Sequence, residues 1–189
     1  MKFTVVRLQV QREPLKPGKA PLREYRPEPI TSVSELRVEP RGAHGIGPDG
    51  EVILDVHHQD HPRTRNPKGR GGLTFLGTHD YVALRERYGP HLADGIAGES
   101  ILVDGAVAGR TIPPTVVLRT RDGELLLEQV RVADPCVEFT RFCLRRGPDT
   151  PVDDAVRQGL KDLDNGARGY RAVPAAVGLI GIGDTLGWT

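Results

Sequence analysis

Glycine and proline interrupt this chain at short intervals, and their spacing limits what the chain can fold into. The 189 residues include 23 glycines and 16 prolines, about a fifth of the total, and these are spread along the sequence. Dispersed breakers produce many turns and therefore many short strands, whereas a concentrated tract would indicate disorder. The pattern predicts a mainly β protein with a few helices (α+β), built as a β-barrel with the helices outside it.

Alternating polar and apolar side chains locate the strands. Val6, Leu8 and Val10 alternate with polar residues, which predicts a first strand with one buried face. The clearest hairpin joins Thr115–Thr120 to Glu124–Val132, because an Asp-Gly pair between two β-rich runs suits a tight turn. Further strand segments are predicted at 33–38, 51–56, 73–76, 169–173 and 178–186.

Two helices are predicted from their end signals and apolar spacing. The first is capped by Thr78 and runs to Tyr88, where a Gly-Pro pair stops it. The second begins at Thr150-Pro151 and ends at Asn165-Gly166. Its predicted apolar stripe is Val152, Val156, Leu160 and Leu163.

Length and composition predict one domain spanning residues 1–189. A chain of this size with 38% hydrophobic residues can bury one core. The segment 14–29 contains five prolines and many charges, so it is predicted to be a surface excursion without regular structure.

Charge and cysteine usage narrow the class of protein. The formal net charge is only +1, which argues against nucleic acid as a partner. Two cysteines do not make a disulfide framework, and residues 1–10 lack a signal-type apolar segment, so a cytoplasmic protein is expected. The most apolar stretch, Ala172–Ile182, is too short for a membrane span.

Cys136 is the first candidate for chemistry. Pro135 precedes it and is expected to end the second hairpin strand, which places the thiol at the edge or mouth of the sheet. A reachable thiol can ligate a soft metal or act as a nucleophile, and the alternative is a small buried hydrophobe. Cys143 fits that alternative better, because it stands between Phe142 and Leu144 in an expected helical turn.

A histidine-rich segment is the second candidate. His57, His58, Asp60 and His61 place three imidazoles and a carboxylate within five positions. These are zinc ligands, and the segment nearly matches the His-x-His-x-Asp-His pattern of metallo-β-lactamase-type hydrolases, with Val56 in place of the first histidine. A solvated polar loop is the alternative interpretation.

A basic cluster is the third candidate. It precedes Gly71-Gly72, where backbone amides can turn toward an anion, and arginine binds phosphate in bidentate fashion. The cluster consists of Arg63, Arg65, Lys68 and Arg70. These residues predict a binding site for a phosphate-bearing ligand, with a solvated basic loop as the alternative.

Several short elements together resemble the MOSC domain, named for the C-terminal domain of molybdenum cofactor sulfurases. They occur in that family's order and spacing: Gly98-Glu99-Ser100-Ile101, Pro135-Cys136, Gly169-Tyr170 and Gly183-Asp184-Thr185-Leu186. Leu54-Asp55-Val56-His57, with Arg70 downstream, is similar to the Gly-Asp-x-His element of small stand-alone members. The resemblance covers roughly residues 41–186.

The resemblance implies a MOSC-like β-barrel with one important cysteine, Cys136. That cysteine would be the catalytic residue and the metal ligand, holding molybdenum in the pterin-based molybdenum cofactor, or it would carry sulfur as a persulfide. The cofactor would be bound by these residues: Arg63, Arg65, Lys68, Arg70, Asp55, His57 and Glu99. Pyridoxal phosphate is not expected in this domain.

Four functions remain open at this stage, and the fourth of them is a non-catalytic binding module, favoured if neither metal nor sulfur is found and Cys136 is buried. The first is a molybdenum-dependent reductase of a small N-hydroxylated substrate, with an electron-donor protein as a possible partner. The second is a persulfide carrier or sulfurtransferase without metal, fed by a sulfur-donor protein. The third is a zinc-dependent hydrolase that uses His57, His58, Asp60 and His61, with Cys136 dispensable.

Overall fold

A computed structural model describes residues 1–63 and 72–188. Within these ranges the chain forms twelve strands and three helices. In chain order they are β1 (Lys2–Gln11), β2 (Ile30–Val33), β3 (Glu35–Glu39), β4 (Gly42–Ile46), β5 (Val52–Leu54), β6 (Leu73–Gly77), α1 (Thr78–Tyr88), β7 (Ile101–Val103), β8 (Thr115–Thr120), β9 (Gly123–Val132), α2 (Val137–Cys143), α3 (Asp154–Asp162), β10 (Tyr170–Pro174), β11 (Gly178–Gly181) and β12 (Thr185–Gly187).

Seven strands close into a barrel. Their order is β12-β8-β9-β10-β6-β7-β1, and β1 pairs with β12 through Phe3 opposite Leu186. All of these pairs are antiparallel except β6–β7. β2 extends β1 on its other side, and β11-β3-β4-β5 form a separate four-stranded sheet. The predicted mainly β barrel with a few helices is confirmed.

A β-bulge sets which side chains of β1 enter the core. The register against β7 shifts between Val5 and Arg7. The extra residue lets Val5 and Leu8 share the inner face, whereas Val6 is 40% exposed and Gln9 is buried. The prediction that Val6 lies on the buried face is therefore wrong, because strict alternation holds only without a bulge.

The helices begin at different residues from those predicted. α1 has Gly77 as its N-cap, because the Asp80 carboxylate accepts the Gly77 N–H at 2.9 Å and a side chain at position 77 would collide with the Gly105 carbonyl. α3 starts at Asp154, since the Asp153 side chain accepts the Val156 N–H at 2.9 Å. No helix in the described ranges is long and apolar enough to cross a membrane.

The later start of α3 also changes its apolar stripe. Val156 and Leu163 are fully buried as predicted, but Val152 lies before the helix and is 40% exposed. The hairpin of β8 and β9 is confirmed, and its turn is one residue shorter than predicted, because Gly123 pairs with Thr120 as the first residue of β9.

The excursion at 14–29 contains no helix or strand, but two of its side chains enter the core. Leu15 and Tyr25 are buried, and the Tyr25 hydroxyl donates to the Ile96 carbonyl at 2.6 Å. The segment is therefore fixed against the barrel, which its proline content alone did not indicate.

Candidate functional site

Cys136 lies just beyond β9, at the N-cap of α2. Its thiol is free and partly buried against the core. Its carbonyl accepts the Thr140 N–H at 3.0 Å and the Thr140 hydroxyl at 2.9 Å, which fixes the backbone that carries the sulfur. The sequence analysis placed Cys136 at the end of a strand. It predicted only a helical turn near Cys143 and not the full helix α2.

A carboxylate paired with a cation lies near Cys136 in the chain. Glu138 is two residues from Cys136, and Arg23 lies 2.9 Å from one of its oxygens. Burial opposes ionisation of Glu138, but its own backbone N–H, Lys16, Arg23 and the Cys136 thiol together lower its pKa. Glu138 is therefore ionised, and Arg23 and Lys16 compensate its charge.

Three aromatic rings, those of Tyr25, Phe139 and Phe142, pack together in the apolar part of this site. Tyr25 lies 4.9 Å from Phe139 and 5.2 Å from Phe142 between ring centroids. The Arg168 guanidinium stacks 4.4 Å from the Phe139 centroid, and its charge acts on Cys143 and Tyr25. The excursion, α2 and the turn before β10 thus meet around the cysteine.

The two cysteines are expected to react very differently. Cys143 is 1% exposed and burial raises its pKa to about 12, whereas Cys136 is only partly buried. Iodoacetamide at neutral pH is therefore expected to modify Cys136 well before Cys143, because the thiolate is the reacting form. Peptide mass mapping of a labelling time course measures this, and equal labelling of both thiols would contradict the placement of Cys143.

Glu99 is buried beneath the site. It is 1% exposed, and its Oε2 accepts the Tyr81 hydroxyl at 2.8 Å. Its Oε1 has no hydrogen-bond partner among the described residues. Burial raises the pKa of Glu99, although Tyr81, Arg168 and Arg7 act in the opposite direction. Tyr25 lies within electrostatic range of both Glu99 and Cys136.

The raised pKa of Glu99 can be tested by measuring the free energy of unfolding as a function of pH. Between its ordinary value of 4.5 and its folded pKa, the folded state binds more protons than the unfolded state. The free energy of unfolding contributed by Glu99 therefore falls as pH rises through that window. Glu99→Gln is expected to remove this component, so that the variant gains stability relative to wild type as pH increases. Chemical denaturation at a series of pH values measures the difference, and parallel pH profiles would contradict it.

Asp55 organises its loop from a buried position. Its carboxylate accepts the backbone N–H groups of Gln11 and His57, and it also contacts His57 Nδ1, each at 2.8 Å. Burial opposes ionisation, but the charge and hydrogen bonds of His57 and the backbone donors lower the pKa of Asp55. Asp55 thus ties the loop to β1, while the His57 side chain remains 47% exposed.

One member of the basic cluster can be placed. Arg63 forms an ion pair with Glu13 and lines a cavity of about 480 Å³ together with Lys16 and Arg26. Lys16 also lowers the pKa of Glu138, two residues from Cys136. Arg65, Lys68 and Arg70 lie outside the described residues.

The histidine-rich segment does not form the predicted hydrolase centre. Its four side chains have separate partners: His57 contacts Asp55, His58 contacts Glu39, Asp60 pairs with Arg41, and His61 Nε2 faces the Arg12 carbonyl. Only His58 and Asp60 approach each other, at 3.9 Å, and the four side chains do not form a ligand group. A zinc centre made from His57, His58, Asp60 and His61 is not supported.

Solved structures share this architecture. YuaD from Bacillus subtilis matches with a TM-score of 0.59 at 14% identity, covering 98% of this chain and 94% of that one. YiiM from Escherichia coli matches with a TM-score of 0.55 at 16% identity, covering 98% and 68% respectively. The fold is MOSC-like. At these identities the MOSC-like resemblance concerns the fold alone, and no family model or curated protein matches the sequence.

Several site residues were missed by the sequence analysis. Tyr25 lies in the proline-rich excursion, Arg23 is two positions before it, and Glu138 follows Cys136 at a spacing that carries no known motif. Arg168 directly precedes Gly169-Tyr170, so its position beside a MOSC-like element was the one available signal.

Proposed function

We propose that the protein binds molybdenum cofactor through the Cys136 thiolate and supports reductive chemistry, such as the reduction of N-hydroxylated compounds. One observation carries the proposal: in a MOSC-like barrel, the thiol of Cys136 is free and only partly buried, and the cation-flanked Glu138 stands two residues away. Cysteine thiolate is the soft ligand that such a metal requires.

The residues around Cys136 fit this cofactor in charge and chemistry. A thiol that coordinates a metal is deprotonated by the metal itself. Lys16, Arg26 and Arg63 line one cavity and offer donors to a phosphate group. When bound, the cofactor supplies a metal that exchanges electrons with the substrate.

The residues of the chain position the Cys136 thiol and shield one side of the site from water. Thr140 fixes the main chain of Cys136, and the rings of Phe139 and Phe142 exclude water from one side of the site. Arg23 holds Glu138 in place through its ion pair. The substrate, the pterin cofactor and an electron-donor protein are the partners that this function requires.

The proposal is tested by metal content in matched hosts. The protein is purified from one host that makes molybdenum cofactor and from one that cannot, and molybdenum per chain is measured by elemental analysis. We expect close to one molybdenum per chain from the first host and none from the second. Protein free of molybdenum from both hosts would contradict the proposal.

A persulfide carrier is the second candidate, favoured by the same thiol. A terminal persulfide on Cys136 would be an anion, and Lys16 and Arg23 are cations that act on Glu138, two residues away. This function requires a sulfur-donor protein and no metal. Intact mass would then show one added sulfur that reductant removes, and its absence together with bound molybdenum would exclude this candidate.

A further inference from the structure

Three potential metal ligands converge on the small four-stranded sheet, away from Cys136. Glu39, His44 and His58 each offer one ligand atom, and these atoms lie within 4.8 Å of one another. Both imidazole Nε2 atoms face the same carboxylate oxygen, Glu39 Oε1, at 3.4 Å from His44 and 3.2 Å from His58. No other group of this kind occurs among residues 1–63 and 72–188.

The β3–β4 hairpin brings the first two ligands together. Glu39 faces Gly42 and Arg37 faces His44 in the strand register. Alternation along each strand then places Glu39 and His44 on one face as diagonal neighbours. The cross-strand register, rather than sequence separation, therefore determines this pair.

Gly42 makes room for the third ligand. A Cβ at this position would lie 2.5 Å from His58 Cα and 2.9 Å from His58 Cδ2, so the imidazole rests where a side chain would otherwise stand. The loop is fixed there by two backbone hydrogen bonds of 2.9 Å, from the His58 N–H to the Asp55 carbonyl and from the Gln59 N–H to the Arg41 carbonyl.

The spacing of the ligand atoms suits a small tetrahedral ion. Zinc–nitrogen bonds of about 2.0–2.1 Å place neighbouring ligand atoms roughly 3.3–3.4 Å apart in a tetrahedron. The two measured separations from Glu39 Oε1 are 3.4 and 3.2 Å. His58 is 2% exposed in its side chain, whereas His44 and Glu39 are 26% and 31% exposed, so solvent reaches one side of the group.

Metal binding requires one rearrangement at His58. Binding through Nε2 requires a proton on Nδ1, whereas Nδ1 here accepts the Asp60 N–H at 3.1 Å. The Asp60 carboxylate lies 3.9 Å from the same Nδ1, so a small rotation lets it accept that proton's hydrogen bond. A carboxylate behind the imidazole is the usual support for a zinc-binding histidine.

We propose that Glu39, His44 and His58 form a mononuclear Zn²⁺ site with water in the fourth position. Two imidazoles and one carboxylate suit zinc, whereas Mg²⁺ and Ca²⁺ prefer oxygen ligands alone. The ion joins the β3–β4 hairpin to the loop that carries Asp55 and His57. This site is independent of the function proposed for Cys136.

The test uses the full-length protein after removal of metals with a chelator. Zn²⁺ and, separately, Mg²⁺ are titrated by isothermal calorimetry into wild type, Glu39→Gln, His44→Gln and two matched controls. The controls are His57→Gln, an exposed histidine of the same loop, and Cys136→Ala, which removes the competing soft ligand. Circular dichroism checks that each variant is folded. If His44→Gln is not folded, the test of the ligands rests on Glu39→Gln.

We expect one Zn²⁺ per chain in wild type and no Mg²⁺ binding. Affinity should fall by at least about tenfold in Glu39→Gln and His44→Gln, because even supporting groups of a metal site contribute that much. Both controls should bind as wild type, and the Co²⁺ complex should show tetrahedral d–d bands without a thiolate charge-transfer band. No saturable binding, binding unchanged in both ligand variants, or binding lost in either control would overturn the proposal.

Discussion

Replacing Cys136 by alanine is expected to lower molybdenum retention by at least about tenfold. Loss of a residue that only hydrogen-bonds to a metal ligand already lowers metal affinity by about tenfold, so loss of the ligand itself should have at least that effect. The variant removes the sulfur and leaves the cation-flanked Glu138 carboxylate in place. The basic residues Lys16, Arg26 and Arg63, which line the cavity, are also unchanged. Molybdenum per chain, measured by elemental analysis after purification from a cofactor-competent host, gives the result.

Cys143→Ala is the matched control for this prediction. It removes the second thiol of the same helix, which is 1% exposed and packed in the core. This variant is expected to lose some stability and to retain its molybdenum. Equal molybdenum content in wild type and Cys136→Ala would exclude Cys136 as the ligand, and loss in both variants would indicate a general effect of α2 on the site.

Phe139→Ala is expected to cause the largest loss of stability near the site, about 3–5 kcal/mol in the free energy of unfolding. Phe139 is fully buried and lies 4.9 Å from the Tyr25 ring and 4.4 Å from the Arg168 guanidinium. Its removal leaves a cavity where the excursion, α2 and the turn before β10 meet. Equilibrium unfolding in urea measures the change.

Val152→Ala serves as the comparison for Phe139→Ala. Val152 precedes α3 and is 40% exposed, so its truncation should change stability by no more than about 0.5 kcal/mol. A loss below about 1 kcal/mol in Phe139→Ala would be typical of a half-exposed residue and would contradict its central place in the core.

Local signals in the sequence predicted the elements that depend on local interactions. The β8–β9 hairpin follows from an Asp-Gly turn, and α1 ends where the Gly-Pro pair predicts. The bulge in β1 could not be foreseen, since it arises from pairing with β7, which is distant in sequence. The start of α3 was misplaced because Thr150 and Asp153 are both good capping residues, and the structure uses Asp153.

The candidate site also combines a residue that local sequence signals identify with residues that only the fold brings near it. Cys136 was identified by its place among MOSC-like elements, but other residues of the candidate site come from elsewhere in the chain. Arg23, which pairs with Glu138, and Tyr25 come from the excursion, and Arg168, which stacks on Phe139, comes from the turn before β10. Their proximity is a property of the closed barrel, which brings distant segments together without a pattern in the sequence.

Charge states at the site also depend on the fold. Asp55 and Glu99 are both buried carboxyl groups, yet the pKa of Asp55 is lowered and that of Glu99 is raised. Asp55 has His57 and two backbone donors that outweigh its burial, whereas desolvation dominates for Glu99. The sequence assigned both to cofactor binding and carried no information on this difference.

X-ray absorption at the molybdenum edge tests the central claim most directly, because it counts the sulfur atoms bound to the metal. The wild-type holoprotein is compared with Cys136→Ser reconstituted with excess cofactor. Ligation by the Cys136 thiolate predicts one more sulfur neighbour of molybdenum in wild type than in the variant. The same sulfur count in both samples would show that the metal is held without this cysteine.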